Sequence, residues 1–394
     1  MIRWYVPHAS ALYQLRWILM AEDQHGRTLL VAAGGGGDAL ASLLMSERLL
    51  PVGHPIVVAS YSWDRRILDP LPGPRSAADF EEAYWLTPKN PEVTANSRLR
   101  SGGLSTLGLL AKTTAARFVL LNPYGGATGM REQLAQLVES LSFESAVLVD
   151  VGGDVLATGA EAELRSPLAD SLSLAALADF PVPVDVVVAG PGLDGELSPS
   201  YARSRCVALG GSLSFRLSVR DIAPWYPALA QLPTEATTLL AAAALGITGR
   251  AEIRDDIDTV SLGEDSADTY LLPISNALSG NQLAQKLIPT HSLAEAEAAA
   301  LSICGRSELS YERLKAAKLR STVAPGVTEM RHRLDDYWIA SLERNVTLAT
   351  FRRVAEVMKL TRYDADLIRS LVGAHAHRQL ALCQTSVDGP STGS

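Results

Sequence analysis

The sequence predicts an α/β fold: a doubly wound, mainly parallel, Rossmann-like sheet followed by a helical C-terminal segment. Three observations predict it. Short and continuously apolar runs recur along the chain, glycine-rich turns follow several of them, and segments with helical periodicity come next. Strands that are apolar on both faces belong to a sheet covered on both sides. Strands that alternate with helices form parallel sheets with right-handed crossovers.

Five apolar runs mark the strands of this sheet. The first, TLLVAA at 28–33, leads directly into four glycines and then into a helical segment. A later pair of strands is expected within 251–274, where shorter apolar runs occur. The four other main runs are PIVVAS at 55–60, RFVLL at 117–121, SAVLV at 145–149 and VDVVVA at 184–189.

The 394 residues divide into three predicted parts. Residues 1–325 form the Rossmann-like α/β domain, which carries the glycine-rich turns. Residues 326–384 form the helical C-terminal segment, whose apolar positions at helical spacing indicate a packing face or a contact between subunits of a homo-oligomer. The polar tail at 385–394 is predicted to be disordered.

Composition and charge narrow the class of protein. The formal net charge is −8, and nucleic-acid-binding proteins usually present a basic face, so we expect no nucleic-acid partner. Apolar runs are too short to span a bilayer, so we expect no membrane partner. The three cysteines have neither paired nor metal-ligand spacing. Reduced thiols of this kind are typical of a cytoplasmic protein.

The first candidate site is the run Gly34, Gly35, Gly36 and Gly37, followed by Asp38. Each glycine costs chain entropy, so we expect four in a row to allow positive φ or a close backbone approach to a ligand. The next helix offers unpaired N–H groups that suit a phosphate or a carboxylate. The spacing matches neither GxGxxG nor GxxxxGK[ST], so it identifies no cofactor. A tight turn with Asp38 as helix cap is the alternative.

The second candidate site is the turn Asp150-Val-Gly152-Gly153-Asp154. Its two acids follow a strand, and open α/β sheets bind ligands at the carboxyl ends of their strands. Such acids hold Mg²⁺, bind ribose hydroxyls or act as general bases. We therefore predict Asp150 and Asp154 as the catalytic and metal-binding residues. Asp170, nearby in the sequence, is interpreted as a helix cap.

Two further turns contribute candidate binding residues. Gly125, Gly126 and Thr128 lie between the third strand and its helix, where backbone amides and a hydroxyl suit an anion. Asp194 and Glu196 follow the fifth strand. Four glycine-rich turns on one sheet, three of them acidic, indicate a shared binding site rather than ordinary loops.

Three segments resemble an archaeal and actinobacterial family known as domain of unknown function 1152. They are GGGGDALAS at 34–42, VDVGGDVLATGAE at 149–161 with SPLADSLSLAAL at 166–177, and GPGLDGEL at 190–197. The resemblance covers about residues 27–330. It implies an α/β fold and a setting in specialised metabolism, and it implies no particular activity.

Together these features predict an enzyme that acts on a phosphorylated, nucleotide or sugar-like small molecule at the carboxyl edge of the sheet. Mg²⁺ or a nucleotide is the expected cofactor, and the reaction class stays open between transferase, hydrolase and lyase. Two alternatives also stay open. One is a cyclase or hydrolase that acts on a non-phosphorylated carboxylate metabolite, and the other is a non-catalytic nucleotide-sensing protein.

Overall fold

The structure is a computed structural model that describes residues 26–255, 259–318 and 325–384. The tail predicted at 385–394 lies outside these residues. In chain order, the strands among the described residues are β1 (Arg27–Ala32), β2 (Val57–Ser60), β3 (Tyr84–Thr87), β4 (Asn90–Val93), β5 (Arg117–Leu120), β6 (Phe143–Val151), β7 (Val184–Ala189), β8 (Ser212–Arg216), β9 (Gly249–Glu252), β10 (Val260–Leu262), β11 (Asp268–Pro273), β12 (Leu348–Thr350) and β13 (Leu382–Gln384).

Nine of these strands form the central sheet, in the order β3-β4-β5-β2-β1-β6-β7-β11-β8. The five middle strands, β5-β2-β1-β6-β7, are parallel, and antiparallel strands flank them on both sides. This arrangement confirms the predicted Rossmann-like, mainly parallel sheet. The chain leaves β1 toward one side and later returns to place β6 on the other. A topological switch point therefore lies between β1 and β6, where open α/β sheets bind their ligands.

The central sheet is buried on both faces, as the continuous apolar runs predict. In β1, Leu29 and Val31 belong to one hydrophobic core, whereas Leu30 and Ala32 belong to the core on the opposite face. All four side chains are fully buried. Alternate side chains of a strand point to opposite faces, so both faces must be covered by helices.

Helices cover the two faces and form most of the C-terminal segment. No helix among the described residues is both long and apolar enough to cross a membrane. In chain order the helices are α1 (Gly36–Leu44), α2 (Ser46–Leu49), α3 (Thr106–Thr113), α4 (Gly126–Leu141), α5 (Pro167–Ala176), α6 (Pro199–Ala208), α7 (Val219–Ile222), α8 (Tyr226–Gln231), α9 (Ala236–Ala244), α10 (Ile274–Gly280), α11 (Gln282–Leu287), α12 (Leu293–Cys304), α13 (Glu308–Lys318), α14 (Val327–Glu343), α15 (Phe351–Val357) and α16 (Ala365–Val372).

A second sheet joins the C-terminal segment to the rest of the chain. Its order is β10-β9-β12-β13, and β12 pairs in parallel with β9. One face of this sheet, with Ala251 and Leu348, contributes to a core of the central sheet. The other face, with Ala349 and Cys383, packs against α14, α15 and α16. The C-terminal segment is therefore attached by main-chain hydrogen bonds and by a shared core.

Candidate functional site

A cavity of about 170 Å³ lies at the carboxyl ends of β1, β6 and β7. This is the switch point of the sheet, where ligand sites of open α/β folds are found. The turn at 34–38, the turns after β6 and β7, and the first turn of α5 supply part of the wall. Residues that are distant in sequence complete the wall: Trp63, Asp64, Arg65, Leu68, Thr106, 233–237, Arg254, Glu308 and Glu312. We call this space the acidic cavity because ten Asp and Glu side chains line it.

The turn after β1 fixes Asp38 at the edge of the acidic cavity. Asp38 lies in the first turn of α1, and one of its carboxylate oxygens accepts a hydrogen bond from the Gly34 amide at 2.7 Å. The other oxygen accepts a hydrogen bond from the Val151 amide at 3.2 Å. The second bond connects the turn after β1 with the end of β6. Asp38 is therefore oriented by two strands at once.

Two glycines of this turn, Gly35 and Gly36, are required by close packing rather than by backbone conformation. None of the four has a positive φ, contrary to one of our two expectations for the run. A Cβ atom on Gly36 would lie 2.3 Å from the Cβ of Thr106, and one on Gly35 would lie 3.0 Å from the carbonyl oxygen of Trp63. At these two positions the close approach is therefore made by neighbouring protein segments.

Substitution of the two adjacent helical glycines is expected to have opposite effects on stability. Gly36→Ala places a methyl group against Thr106 and should lower the free energy of unfolding by about 1–3 kcal/mol. A Cβ on Gly37 meets only Thr237 Oγ1, at an ordinary 3.5 Å. Gly37→Ala should therefore raise the free energy of unfolding by up to about 1 kcal/mol, because alanine favours the helix. Urea unfolding of both variants measures the difference, and equal effects would contradict this account of the turn.

The turn after β6 brings Asp150 and Asp154 to the cavity and requires glycine for a different reason. Gly152 and Gly153 have φ values of 114° and 107°, a conformation that favours glycine. A Cβ on Gly152 would also lie 2.1 Å from a carboxylate oxygen of Asp194. Asp150 accepts a hydrogen bond from the Val155 amide at 3.1 Å. The turn thus brings carboxylates from two neighbouring strand ends into close contact.

Asp38, Asp150 and Asp170 lie close enough together that they could hold a cation. Each offers a carboxylate oxygen, and these oxygens all lie within 4.8 Å of one another. Asp170 lies inside the first turn of α5, whose N-cap residue is Ser166, so the interpretation of Asp170 as a helix cap is wrong. Carboxylate oxygens are the ligands that Mg²⁺, Mn²⁺ and Ca²⁺ prefer in proteins.

Five aspartates of the cavity resist ionisation when no cation is present. Burial, and after it repulsion by neighbouring carboxylates, raises the pKa of Asp38, Asp154 and Asp170 well above the usual range for aspartate. Burial also raises the pKa of Asp150 to about 6 and that of Asp194 to about 7. Several like charges therefore compete for one poorly solvated space. Either protons or a cation must neutralise them.

One oxygen in the cavity has no partner. Asp154 is 5% exposed, and its Oδ1 accepts no hydrogen bond from any described residue. Buried polar atoms are almost always hydrogen-bonded, so an unpartnered carboxylate oxygen in a cavity wall indicates an atom kept for a ligand or a proton. Asp154 is thus the carboxylate best placed to act on something inside the cavity.

Helix α13 closes the acidic cavity from a distant part of the chain. Glu308 accepts hydrogen bonds from the amides of Leu168 (2.8 Å) and Ala169 (3.1 Å), which are otherwise unpaired in the first turn of α5. Burial raises the pKa of Glu308 to about 8, although these two hydrogen bonds oppose the shift. Glu312 accepts a hydrogen bond from the indole N–H of Trp63 at 3.0 Å.

A chain of buried ion pairs connects the cavity to the C-terminal segment. Arg254 donates to Glu196 and to Glu235, at 2.7 Å in each case. Arg352, on α15, donates to Glu235 at 2.8 Å. Burial alone would raise the pKa of Glu235, but Arg254 and Arg352 lower it to about 2. Glu196 also accepts hydrogen bonds from the amide and the hydroxyl of Ser166. The two arginines, which follow strands β9 and β12 of the small sheet, thus hold one wall of the cavity together.

Most of the site residues predicted from the sequence meet in the acidic cavity. Gly152 and Gly153 shape the turn next to it without lining it. Those that line it are Gly34, Gly35, Gly36, Gly37, Asp38, Asp150, Asp154, Asp194 and Glu196.

The turn with Gly125, Gly126 and Thr128 does not line the cavity. The amide of Thr128 donates to the carbonyl oxygen of Thr290 at 3.1 Å, and the amide of Ala127 donates to the hydroxyl of Thr290 at the same distance. A Cβ on Gly126 would lie 2.5 Å from that carbonyl oxygen. These amides are therefore satisfied by the loop before α12, and the glycine allows that loop to approach.

Several cavity residues were not predicted as ligands from the sequence. The most prominent are Asp170, Glu235, Arg254, Glu308 and Glu312. Only Asp170 had a detectable signal, since it follows a proline at the start of a helix near the turn after β6. The others lie beyond Glu196, the last predicted site residue along the chain, and no local pattern distinguishes them.

A second, larger cavity of about 450 Å³ adjoins the first. We call it the groove. It runs between residues 65–67, helix α13 and residues 352–361 of the C-terminal segment. Its lining is rich in arginine and lysine, in contrast to the acidic cavity. The two spaces share wall residues Arg65, Ser166, Arg254, Glu308 and Glu312.

Comparison with known proteins identifies a family. The family model described as "Protein of unknown function (DUF1152)" matches residues 29–316, which confirms the resemblance found in the sequence. The matched region includes every carboxylate of the acidic cavity. No curated protein and no solved structure matches the chain significantly.

Proposed function

The chain belongs to the DUF1152 family, and we propose that it is a divalent-cation-dependent enzyme that acts on a phosphorylated small molecule. One observation carries the proposal. Three carboxylates, those of half-buried Asp38 and of buried Asp150 and Asp170, place their oxygens within 4.8 Å of one another in a cavity that adjoins a basic groove. An acidic cavity beside a basic groove suits a cation bound together with an anionic substrate.

The cation explains how a phosphate could enter an acidic space. The carboxylates by themselves would repel a phosphate, because like charges in a poorly solvated cavity interact strongly. A divalent cation on Asp38, Asp150 and Asp170 reverses the sign of the local potential. The substrate phosphate then completes the coordination of the cation, as is usual for Mg²⁺ in enzymes that act on phosphates.

The reaction follows from the residues around that phosphate. Asp38, Asp150 and Asp170 would hold a divalent cation, which would polarise the phosphoryl oxygens and lower the pKa of a nearby water. Asp154, with its unpartnered oxygen, accepts one proton from the attacking water. A bond forms between the water oxygen and phosphorus, and the bond from phosphorus to the leaving oxygen breaks. With water as the acceptor the reaction is a hydrolysis, and with another hydroxyl it is a phosphoryl transfer.

A defined set of compounds tests the proposed function. The protein is incubated with ADP, ATP, glucose 6-phosphate and pyrophosphate, and with citrate as a non-phosphorylated carboxylate. Each compound is tested with Mg²⁺, with Mn²⁺ and with EDTA, and ³¹P NMR reports the phosphorylated products. We expect consumption of at least one phosphorylated compound that EDTA abolishes. Consumption that EDTA leaves unchanged, or conversion of citrate alone, would overturn the proposal.

Removal of one cation ligand is expected to abolish most of this activity. Asp150→Asn keeps the size of the side chain and removes its charge, so kcat/KM should fall by about 100-fold. The matched control is Asp185→Asn, because Asp185 is an exposed aspartate at the opposite end of β7. The control should retain full activity. Equal activities in the two variants would exclude Asp150 from the reaction.

A further inference from the structure

The groove next to the acidic cavity has an excess of basic side chains. Four of them, Arg66, Arg165, Lys315 and Lys359, are at most weakly paired with acids. Arg165 lies 3.8 Å from its nearest carboxylate and Lys315 lies 4.0 Å from its own, and no described acid forms an ion pair with Arg66 or Lys359. Such side chains attract an anion from solvent and hold it.

One guanidinium nitrogen of Arg66 donates a hydrogen bond within the protein, and another has no acceptor. Its Nη1 donates to the carbonyl oxygen of Lys315 at 3.0 Å, which fixes the guanidinium against α13. Its Nε is buried and donates to no described residue. A buried guanidinium N–H without an acceptor is costly, so an acceptor supplied by a ligand would remove a penalty that the protein otherwise carries.

The acids that line the groove already accept hydrogen bonds or form ion pairs within the protein. Glu308 accepts hydrogen bonds from the Leu168 and Ala169 amides, and Glu312 accepts one from the Trp63 indole. Glu356 accepts hydrogen bonds from Arg352 at 3.0 Å, and Asp255 forms an ion pair with Arg353. These acids therefore compete little with a ligand for the basic side chains.

Lys359 adopts a backbone conformation that lysine rarely occupies. Its φ is 54°, directly after the end of α15, where glycine is the usual residue. A lysine at such a position is less stable than glycine. Its side chain is exposed and lines the groove. The position therefore allows the charge to be removed without strain in the fold.

The floor of the groove is apolar and includes an aromatic ring. Ile67 and Leu360 line it together with Tyr311, which is 40% exposed and whose ring lies 5.5 Å from the Lys315 ammonium, so that a ligand ring there would contact both side chains. A planar ring system gains contact area on such a surface and can stack on tyrosine. A sugar, in contrast, requires several polar partners, which Ile67 and Leu360 cannot provide.

We infer that the groove binds the ring system and one phosphate of a nucleotide, whose neighbouring phosphate reaches the cation in the acidic cavity. The basic side chains hold the first phosphate, and the apolar floor holds the ring. This inference rests on the proposed function and narrows its class of substrate from phosphorylated small molecules to nucleotides. It also gives the C-terminal segment a role, because residues 352–361 supply one side of the groove.

Isothermal titration with ADP, with glucose 6-phosphate and with pyrophosphate tests the inference, each in the presence of Mg²⁺. We expect ADP to bind about tenfold or more tightly than glucose 6-phosphate or pyrophosphate, because only ADP uses both the charges and the floor. Lys359→Gly should weaken ADP binding by about tenfold, since it removes a charged contact to phosphate. Arg66→Gln should have a similar effect. Neither variant should alter the stabilisation of the protein by Mg²⁺ alone.

The matched control is Asn345→Gly. Asn345 also follows a helix with positive φ, at 56°, lies in the same C-terminal segment and does not line the groove. It should leave ADP affinity unchanged. Equal affinities for ADP and glucose 6-phosphate, or normal ADP affinity in both groove variants, would overturn the inference while Mg²⁺-dependent turnover still supported the proposed function. If ADP binds in the groove but Mg²⁺ neither stabilises the protein nor promotes turnover, the proposed function is wrong, whereas nucleotide binding in the groove is still supported.

Discussion

Mg²⁺ or Mn²⁺ is expected to stabilise this protein strongly at pH 8 and much less at pH 5. A cation that binds only the folded state, at about 1,000 times its Kd, raises the free energy of unfolding by about 4 kcal/mol. The buried carboxylates provide the reason for the pH dependence. The pKa of Asp150 is raised to about 6 and that of Asp194 to about 7 in the folded protein without a cation.

The sign of the effect follows from these raised pKa values. A carboxyl whose pKa is higher in the folded state than in the unfolded state binds more protons when folded. Its contribution to stability is therefore complete below the unfolded pKa, near 4, and is lost as the pH rises through the folded pKa. The protein without a cation should become less stable between pH 4 and about pH 7. At pH 5 a cation must displace these protons, which costs about 1.4 kcal/mol per carboxyl for each pH unit below its pKa.

Urea unfolding at pH 5 and pH 8, with MgCl₂ and with EDTA, measures both parts of this prediction. Asp170→Asn should stabilise the EDTA-treated protein at pH 8, because it removes one of the repelling charges, and should also remove most of the response to Mg²⁺. Asp185→Asn, at an exposed position of the same sheet, should respond to Mg²⁺ as the unmodified protein does. A response to Mg²⁺ that is equal at both pH values would show that the carboxyls of the cavity do not bind it.

The middle of the fold could be predicted because strands that are buried on both faces are apolar at nearly every position, and this pattern is visible in the sequence. All five predicted runs became the parallel strands β1, β2, β5, β6 and β7, and the run at 184–189 coincides with β7. The edge strands have no such continuous apolar pattern. Most residues of β8, Ser212–Arg216, are exposed, so its sequence SLSFR has no continuous apolar character. Pairing at the edge of a sheet depends on the neighbouring strand more than on the strand's own sequence.

The candidate site was predictable where backbone geometry required glycine. Gly152 needs its positive φ, and it identified Asp150 and Asp154 beside it. The glycines at 34–37 identified Asp38, although at Gly35 and Gly36 the space is filled by protein. Glu308 could not be found in this way. It lies at the start of an ordinary helix, and only tertiary packing brings it to the first turn of α5. A carboxylate that approaches through tertiary contacts has no local sequence signal.

The ion pairs behind the cavity also have no local signal in the sequence. Removing their shared arginine is expected to cause the largest loss of stability. Arg254→Met is expected to lower the free energy of unfolding by about 3–5 kcal/mol, because it leaves buried carboxylates without their shared partner. Arg254 is 8% exposed, and its partner Glu196 is 1% exposed. Urea unfolding at pH 8 measures the loss. Catalysis should decline as well, since the same arginine lines both the acidic cavity and the groove.

A second substitution separates lost charge compensation from lost packing. Glu196→Gln, combined with Arg254→Met, removes the uncompensated charge while its amide oxygen can still accept hydrogen bonds from Ser166. The double variant should therefore recover a substantial part of the stability that the single variant loses. The matched control is Arg344→Met, because Arg344 is 46% exposed and pairs with Glu252 in the same part of the molecule. An exposed pair contributes only about 0–1 kcal/mol. If the two single variants lost equal stability, or if the double variant recovered none, the buried ion pairs would not be what holds this wall of the cavity to the C-terminal segment.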